Sequence, residues 1–498
     1  LGLHLAIDLG AGSGRAVLGR LEADRPRLEE LHRFHYPPRI SAGHLRWPFA
    51  DLLRGIRRGL RAAALRAGEL GDSLATVGVD SWGVDYGLLD GAGRLIEEPV
   101  AYRDARTSGA LAEVLEKVPR QRIFGTTGIQ FMELNTLFQL YAQAHEGLPP
   151  DASRLLMIPD LCHHFLCGAE VCEYTNASTT QLLDARRREW DMELLLDLGL
   201  PGELMPRIVP PGTELGALRG ELREELGIGP LRVLAPATHD TASAVAGTPL
   251  RPGWAYISSG TWSLLGVERG EPLIDDGVAT ANFTNEGGVF GTIRLLKNLM
   301  GLWVLESCRQ EWQEAGSPVG YETLLRQVSE IDEVPPLVFT DHASLFCPES
   351  MSRAVAELLA ATGQRMPASP AGLAKCILDS LALRYASVID TVESLTGEAV
   401  PGIHIVGGGS LNHYLNQATA DATGRPVLAG PAEATATGSL VLQAIASGEL
   451  PSLAEARARV AAAVCPQRFE PSGSSAWSEA RDRYRELEQR FVTGSPLP

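Results

Sequence analysis

The chain has 498 residues, more than the roughly 250–300 at which a single hydrophobic core stops growing, so two or more domains are expected. Hydrophobic residues make up 45% and charged residues 21%, a globular balance that excludes a disordered chain. The formal net charge of -17 argues against nucleic acid and anionic membrane as partners, because both need a basic face, while a small anion can still be held by backbone amides and one or two cations.

In chain order, Leu3 to about Arg20 alternates as a β-hairpin whose turn is Gly10-Ala11-Gly12-Ser13-Gly14. The apolar run into the turn aims the backbone, small residues let amides approach an anion, and Ser13 adds a hydroxyl donor. Such a turn is either a phosphate grip or an ordinary hairpin. His32–His35 and Leu45–Trp47 read as further strands and Phe49–Leu65 as an amphipathic helix. Ala75–Asp80 is a short buried strand, and a further strand ends at the turn Asp90-Gly91-Ala92-Gly93. Helices are expected over Leu111–Val118 and Thr136–His145, and a strand over Leu155–Ile158.

The group Cys162, His163, His164, Cys167 and Cys172 offers metal-binding atoms, but Asp160–Gly168 reads as a short helix and the spacing fits no zinc pattern, so core packing is expected. The seven cysteines, odd in number and scattered, suit a reducing cytosol. With no run near ~18 apolar residues and no signal-peptide pattern, a cytoplasmic location is expected.

Leu234–Val245 contains Thr238-His239-Asp240-Thr241, where a strand meets a helix. Asp240 has two readings, a helix cap or a carboxylate poised to take a proton from an attacking hydroxyl. The Pro- and Gly-rich stretch Gly247–Gly253 marks a boundary. Immediately after it, Tyr256–Ser263 repeats the strand, glycine-and-hydroxyl turn and strand at Ser259-Gly260-Thr261. The repetition favours phosphate binding over coincidence. A long helix is expected from about Leu295 to Glu314 and another from Gly372 to Leu395. The strand Ile403–Val406 then runs through Gly407-Gly408-Gly409-Ser410 into a helix over Leu411–Ala422, a second form of ligand cradle. Trp477–Phe491 reads as a solvated packing helix. The expected fold class is α/β, divided into 1–248, 249–470 and a tail 471–498.

Taken together, Asp8-Leu9-Gly10-Ala11-Gly12-Ser13, Asp80-Ser81-Trp82-Gly83-Val84-Asp85, Thr238-His239-Asp240, Ser259-Gly260-Thr261 and Gly407-Gly408-Gly409 resemble the FGGY carbohydrate kinases of the actin and hexokinase superfamily. Tyr102–Thr107, Tyr174–Leu182, Phe283–Gly288 and Leu296–Trp303 resemble the branch that acts on L-rhamnulose, and the likeness runs from about Leu3 to Phe469. It implies two actin-like (ribonuclease H-like) domains closing over a cleft and transfer of the ATP γ-phosphoryl group to the sugar O1. Asp240 falls on the catalytic base and Asp8 on the residue that orients Mg²⁺ or its water. Ala11, Gly12, Ser13, Gly14 and Arg15 fall on the phosphate loop, Thr261 on the second phosphate contact and Gly408 on an adenosine-side glycine. Glu306 stands where the family often has an amide, which leaves its part in ATP binding open. Gly83, His239, Asp240, Thr241 and Asn298 fall on sugar contacts, with Trp82, Asp104 and Arg106 as further candidates. The implied partners are L-rhamnulose and ATP, and a homo-oligomer is compatible with the chain. Rival readings are an FGGY kinase for fuculose, xylulose or glycerol, and an actin-like ATPase or sugar-sensing regulator that transfers nothing.

Overall fold

The computed structural model describes residues 2–22 and 26–492; the expected domain limits at residues 1 and 498 lie outside these. By packing, the chain forms two compact units: Leu1–Pro249 with Glu268–Leu295 and Ala434–Cys465, and Leu250–Val267 with Leu296–Glu433 and Pro466–Pro498. The expected division at 248 and 470 follows the chain consecutively, whereas packing groups 268–295 and 434–465 with the first stretch. One reason is visible at Gly438. A Cβ there would lie 1.7 Å from the Ser243 carbonyl, so the helix Ala434–Ala446 meets the helix Asp240–Ala246 backbone to backbone.

The first unit holds a sheet of β1 (Leu3–Leu9), β2 (Ser13–Leu21), β3 (Pro26–His35), β4 (Leu74–Ser81), β5 (Thr213–Ala217) and β6 (Arg232–Ala235). Their order is β5-β6-β4-β1-β2-β3. The β1/β4 and β4/β6 pairs are parallel and the others antiparallel. All seven β1 residues are buried, because both faces are covered. Ile7 and Ala16 meet the helix Phe49–Glu69 at Gly59, while Ala6 and Val17 pack with Ala436 and Leu440.

A second sheet, whose residues belong to the second unit except for 268–269 and 293–295, which fall in the first, has β7 (Ala255–Ser259), β8 (Trp262–Arg269), β9 (Ile293–Met300), β10 (Ile403–Val406), β11 (Val427–Ala429) and β12 (Gln467–Phe469) in the order β9-β8-β7-β10-β11-β12. An antiparallel hairpin β7/β8 is followed by parallel β7/β10 and β10/β11 pairs and an antiparallel edge. The two sheets therefore share one scheme: a leading hairpin whose first strand continues into parallel partners.

The helix expected over 295–314 begins later, at Trp303, and residues 293–300 are strand β9. The Leu-rich run satisfies helical spacing, but pairing beside β8 overrides that local preference. The helix expected from Leu411 is preceded by a 3₁₀ turn over Gly408–Leu411 and starts at His413, where the Asn412 side chain accepts the Leu415 amide hydrogen. The C-terminal helix Ser475–Val492 packs within its unit through more than apolar contact. Its Glu488 pairs with the buried Arg384, whose Nε donates to Asp341 Oδ2 at 2.6 Å, and Asp341 Oδ1 accepts the Met300 amide hydrogen at 2.8 Å. Among the described residues no helix is long and apolar enough to cross a membrane.

Candidate active site

The parallel strands of the first unit bring three carboxylates to their C-terminal ends. Asp8 lies opposite Asp80 in the β1/β4 register, and Ser81 bridges to His239, immediately before Asp240. Asp240 is the first residue of the helix Asp240–Ala246 and does not cap it; the capping position belongs to His239, whose side chain makes no capping bond. Asp240 Oδ1 accepts from the Thr241 amide at 2.5 Å and the Thr241 hydroxyl at 3.1 Å. Burial, then the charge of Asp8, pushes the Asp240 carboxyl up to about 7. Asp80 is fully buried with neither oxygen in hydrogen-bond geometry, and burial with the charges of Asp8 and Asp240 drives its proton affinity well above the usual carboxylate range. Asp8 carries an ion pair with Arg15, its antiparallel neighbour across the first hairpin.

That hairpin turns with Gly12 at φ 120°, a conformation that favours glycine. Its carbonyls are drawn inward: the Tyr36 hydroxyl lies 2.7 Å from Gly10 O and 2.9 Å from Ser13 O, and the Tyr36 amide donates to Gly12 O. Ala11 is exposed and Gly12 and Ser13 half-buried at the tip. In the second unit the Ser259–Trp262 turn is held the same way, with Leu302 N–H donating to Gly260 O at 2.9 Å and Gly301 N–H to Thr261 O at 3.1 Å, leaving Thr261 exposed. Behind it, a Cβ on Gly409 would lie 2.0 Å from Ser259 Oγ, so Gly409 is a packing glycine, whereas a Cβ on Gly408 would meet nothing within 4 Å. Open space beside Gly408 is what a closely approaching ligand requires. Glu306 pairs with Arg309 at 2.6 Å, and the Arg309 guanidinium lies over the Tyr321 ring at 4.9 Å. Asn298 lies on β9.

The sugar-side candidates of the first unit fall into two groups. His239 is wired from behind: Arg294 Nη2 is 3.0 Å from its Nδ1 and 3.1 Å from Glu286 Oε2, and its amide donates to Thr175 Oγ1 at 3.1 Å. Burial and the Arg294 charge keep the imidazole neutral. The wholly buried Glu173 accepts from Thr238 N and Oγ1, both at 2.8 Å, and from Thr175, so it pins the segment leading to Asp240. The second group surrounds Trp82, whose ring centroid is 4.5 Å from that of Trp47 and 6.3 Å from that of Tyr36. Asp85 Oδ2 accepts from both indoles, at 2.6 Å from Trp47 and 2.9 Å from Trp82. A Cβ on Gly83 would lie 2.9 Å from Thr179 Oγ1, and the next residue, Val84, has φ 68°, a strained value for a β-branched side chain. Asp104 caps the turn Ala105–Thr107 and accepts from Leu45 N and His44 Nδ1, and Arg106 donates to Gln139 at 2.9 Å. These two side chains are engaged in holding loops.

Tyr36, Trp47, Asp80, Asp85, Glu173, Glu286 and Arg294 were not singled out from sequence as site residues. Asp80, Asp85 and Glu286 stood inside recognised motifs, which were a usable signal; Arg294 had none. In the cysteine–histidine group, His163 Nε2 accepts the Val79 amide hydrogen at 3.0 Å and His164 Nε2 is 2.9 Å from Gly93 O, so both rings are committed to the backbone. Among the described residues no group of three His, Cys, Asp or Glu forms a metal cage. Mg²⁺ does not need one, since it takes one or two carboxylates and completes its shell with phosphate and water oxygens. The hard oxygens of Asp8 at the strand end fit such an ion.

Comparison with known proteins gives a consistent result. Residues 3–247 match the N-terminal domain and 255–447 the C-terminal domain of the FGGY family of carbohydrate kinases. A rhamnulokinase of Bacteroides thetaiotaomicron is 41% identical over 478 residues, covering 95% of this chain and 97% of its own, and one from Pectobacterium carotovorum is 40% identical over 494 residues, covering 97% and 96%. In fold, the chain resembles gluconate kinase from Lactobacillus acidophilus (TM-score 0.79, 16% identity, 99% of each chain covered). It also resembles Plasmodium falciparum glycerol kinase with ADP (TM-score 0.78, 14% identity, 100% of this chain and 99% of that one).

Proposed function

The chain belongs to the FGGY family of carbohydrate kinases, and on that premise we propose that it transfers the γ-phosphoryl group of ATP to the O1 hydroxyl of L-rhamnulose, in the cytoplasm, yielding L-rhamnulose 1-phosphate and ADP. The substrate is supported by rhamnulokinases about 40% identical over nearly the whole chain. The chemistry is supported by one observation above all: a carboxylate, Asp240, at a strand-to-helix junction beside Asp8, with its proton affinity poised at about 7. A general base works best when its pKa lies near the working pH.

Asp240 accepts the O1 proton as attack proceeds. Its Oδ1 is tied to Thr241, which leaves Oδ2 to take the proton. His239, Thr241, Gly83 and, on β9, Asn298 contact the sugar, and Trp82 offers an apolar wall to its carbon face. Ala11, Gly12, Ser13, Gly14 and Arg15 grip phosphate from the first unit; Thr261 and Gly408 hold the nucleotide in the second, with Glu306 beside them. Asp8 would hold Mg²⁺, which when bound neutralises charge on the phosphate oxygens. Transfer is direct and in line, with no phosphoenzyme.

The test is ADP release with Mg-ATP against L-rhamnulose, L-fuculose, D-xylulose, L-ribulose and glycerol, run beside Asp240→Asn. Preference for L-rhamnulose, lost in the variant, supports the reading. Preference for another sugar moves the substrate while keeping the mechanism, and sugar-independent ADP release that survives in Asp240→Asn refutes the kinase mechanism.

A further inference from the structure

We propose that Arg294 is a positioning residue that fixes the tautomer of His239, so that the imidazole meets the sugar only as a hydrogen-bond donor through Nε2–H. The inference deepens the reading of His239 as a sugar contact and rests on it.

The argument is one of hydrogen-bond direction. A guanidinium has five N–H donors and no acceptor. Arg294 Nη2 lies 3.0 Å from His239 Nδ1, so Nδ1 receives that hydrogen through its lone pair and carries none of its own. In a neutral imidazole the remaining proton then sits on Nε2. Glu286 Oε2 forms an ion pair with Nη2 at 3.1 Å without hydrogen-bond geometry, and Nε donates to Gly287 O at 2.9 Å. Arg294 is wholly buried, so the guanidinium cannot swing away into water. The charged groups facing the ring are Arg294 and Glu286 from one side and Asp240 from its own segment; Glu286 Oε2 is 3.4 Å from Nδ1 and Asp240 Oδ1 is 3.5 Å from Nε2. Desolvation and the Arg294 charge both disfavour the imidazolium.

This arrangement has a consequence for the reaction. A sugar hydroxyl that meets Nε2–H must accept, so its own hydrogen is left to point elsewhere, and the neighbouring acceptor is Asp240. The His239 donor thus orients the hydroxyl proton toward the base without taking part in proton transfer. With the other tautomer, Nε2 would compete with Asp240 for the same hydrogen. The device lies 55 residues away along the chain, on the strand β9 rather than in the Thr238–Thr241 segment.

The first experiment reads the tautomer in the wild-type protein and uses a variant only to assign the resonance. In protein labelled with ¹⁵N-histidine and free of ligands, two-bond ¹H–¹⁵N correlations distinguish the tautomers, and His239→Asn identifies the resonance among the 11 histidines. The expected spectrum shows His239 protonated at Nε2 and bare at Nδ1 across pH 6–8; a proton on Nδ1, or a doubly protonated ring, overturns the proposal. Arg294→Gln retains an N–H donor and should keep the tautomer. Arg294→Met, made together with Glu286→Gln so that no carboxylate is left buried without its partner, should give mixed tautomers and raise KM for L-rhamnulose about tenfold, with KM for ATP unchanged. An unaltered His239 spectrum in the folded double variant overturns the role of Arg294. If the spectra behave as expected but sugar KM is unmoved both there and in His239→Asn, the sugar-contact reading of His239 fails instead, and with it the claim that the donor meets the sugar.

Discussion

Replacing Asp240 by Asn should stabilise the ligand-free protein while abolishing turnover. In the folded chain, burial and then the Asp8 charge raise this carboxyl from 3.8 to about 7. For an acid raised in this way, the stability it contributes is fully present below the unfolded value and is lost as pH rises through about 7, because the folded state binds the proton more tightly. A shift of about three units corresponds to roughly 4 kcal/mol at most, at about 1.4 kcal/mol per unit. The side chain keeps 31% of its surface open, so solvent screening reduces this to about 2 kcal/mol. Asparagine keeps the shape and removes the charge, and Thr241 can still donate to its carbonyl oxygen. For a cooperative unit of about 300 residues that gain is a rise in Tm of about 3 °C. The assay is thermal unfolding from pH 5 to pH 8 without nucleotide, sugar or divalent ion, beside ADP release in the complete reaction. The Tm gap between variant and wild type should widen from pH 5 to pH 7 and then level off. A variant no more stable than wild type at pH 8, or a gap that ignores pH, would refute the account of a strained, charged base.

The same poise predicts that kcat/KM for L-rhamnulose falls on the acid side with an apparent pKa near 7, as Asp240 becomes protonated in the free enzyme; a flat profile down to pH 5.5 would exclude it as the titrating base. Gly83→Ala should cost about 1–3 kcal/mol of stability, because its Cβ would sit 2.9 Å from Thr179 Oγ1, and Thr179→Ala in the same chain should recover most of that in a denaturant melt. Glu488→Gln removes the charge facing the buried Arg384, which leads through Asp341 to the Met300 amide and the adjoining Gly301–Leu302 clamp on the second hairpin. It should lower Tm and raise KM for ATP several-fold while leaving KM for the sugar alone; equal changes in both constants would mean that the helix supports the fold generally. Loss of the Asp8 carboxylate in Asp8→Asn should weaken the dependence of rate on Mg²⁺ concentration, read as a higher half-saturating Mg²⁺ level, and an unchanged Mg²⁺ titration would remove Asp8 from the metal site.

What the sequence determined by itself is what depends on near neighbours in the chain. A hairpin needs only two alternating runs and a small-residue turn, so both glycine hairpins were legible, and so was the Thr238-His239-Asp240 junction. The helices Phe49–Glu69 and Pro370–Thr396 were legible for the same reason, since apolar periodicity is local. Tertiary structure decided everything that depends on pairing across distance. Residues 293–300 became a strand because a neighbouring strand was there to receive their backbone, and 434–465 returned to the first unit because Gly438 admits another helix backbone. The chemistry of the site was decided the same way. Asp240 could be named from its motif, but its proton affinity comes from desolvation and from Asp8, more than two hundred residues away. The donor state of His239 follows from Arg294, which no local pattern marks, because a hydrogen bond between side chains is governed by where the fold brings them and not by the residues on either side.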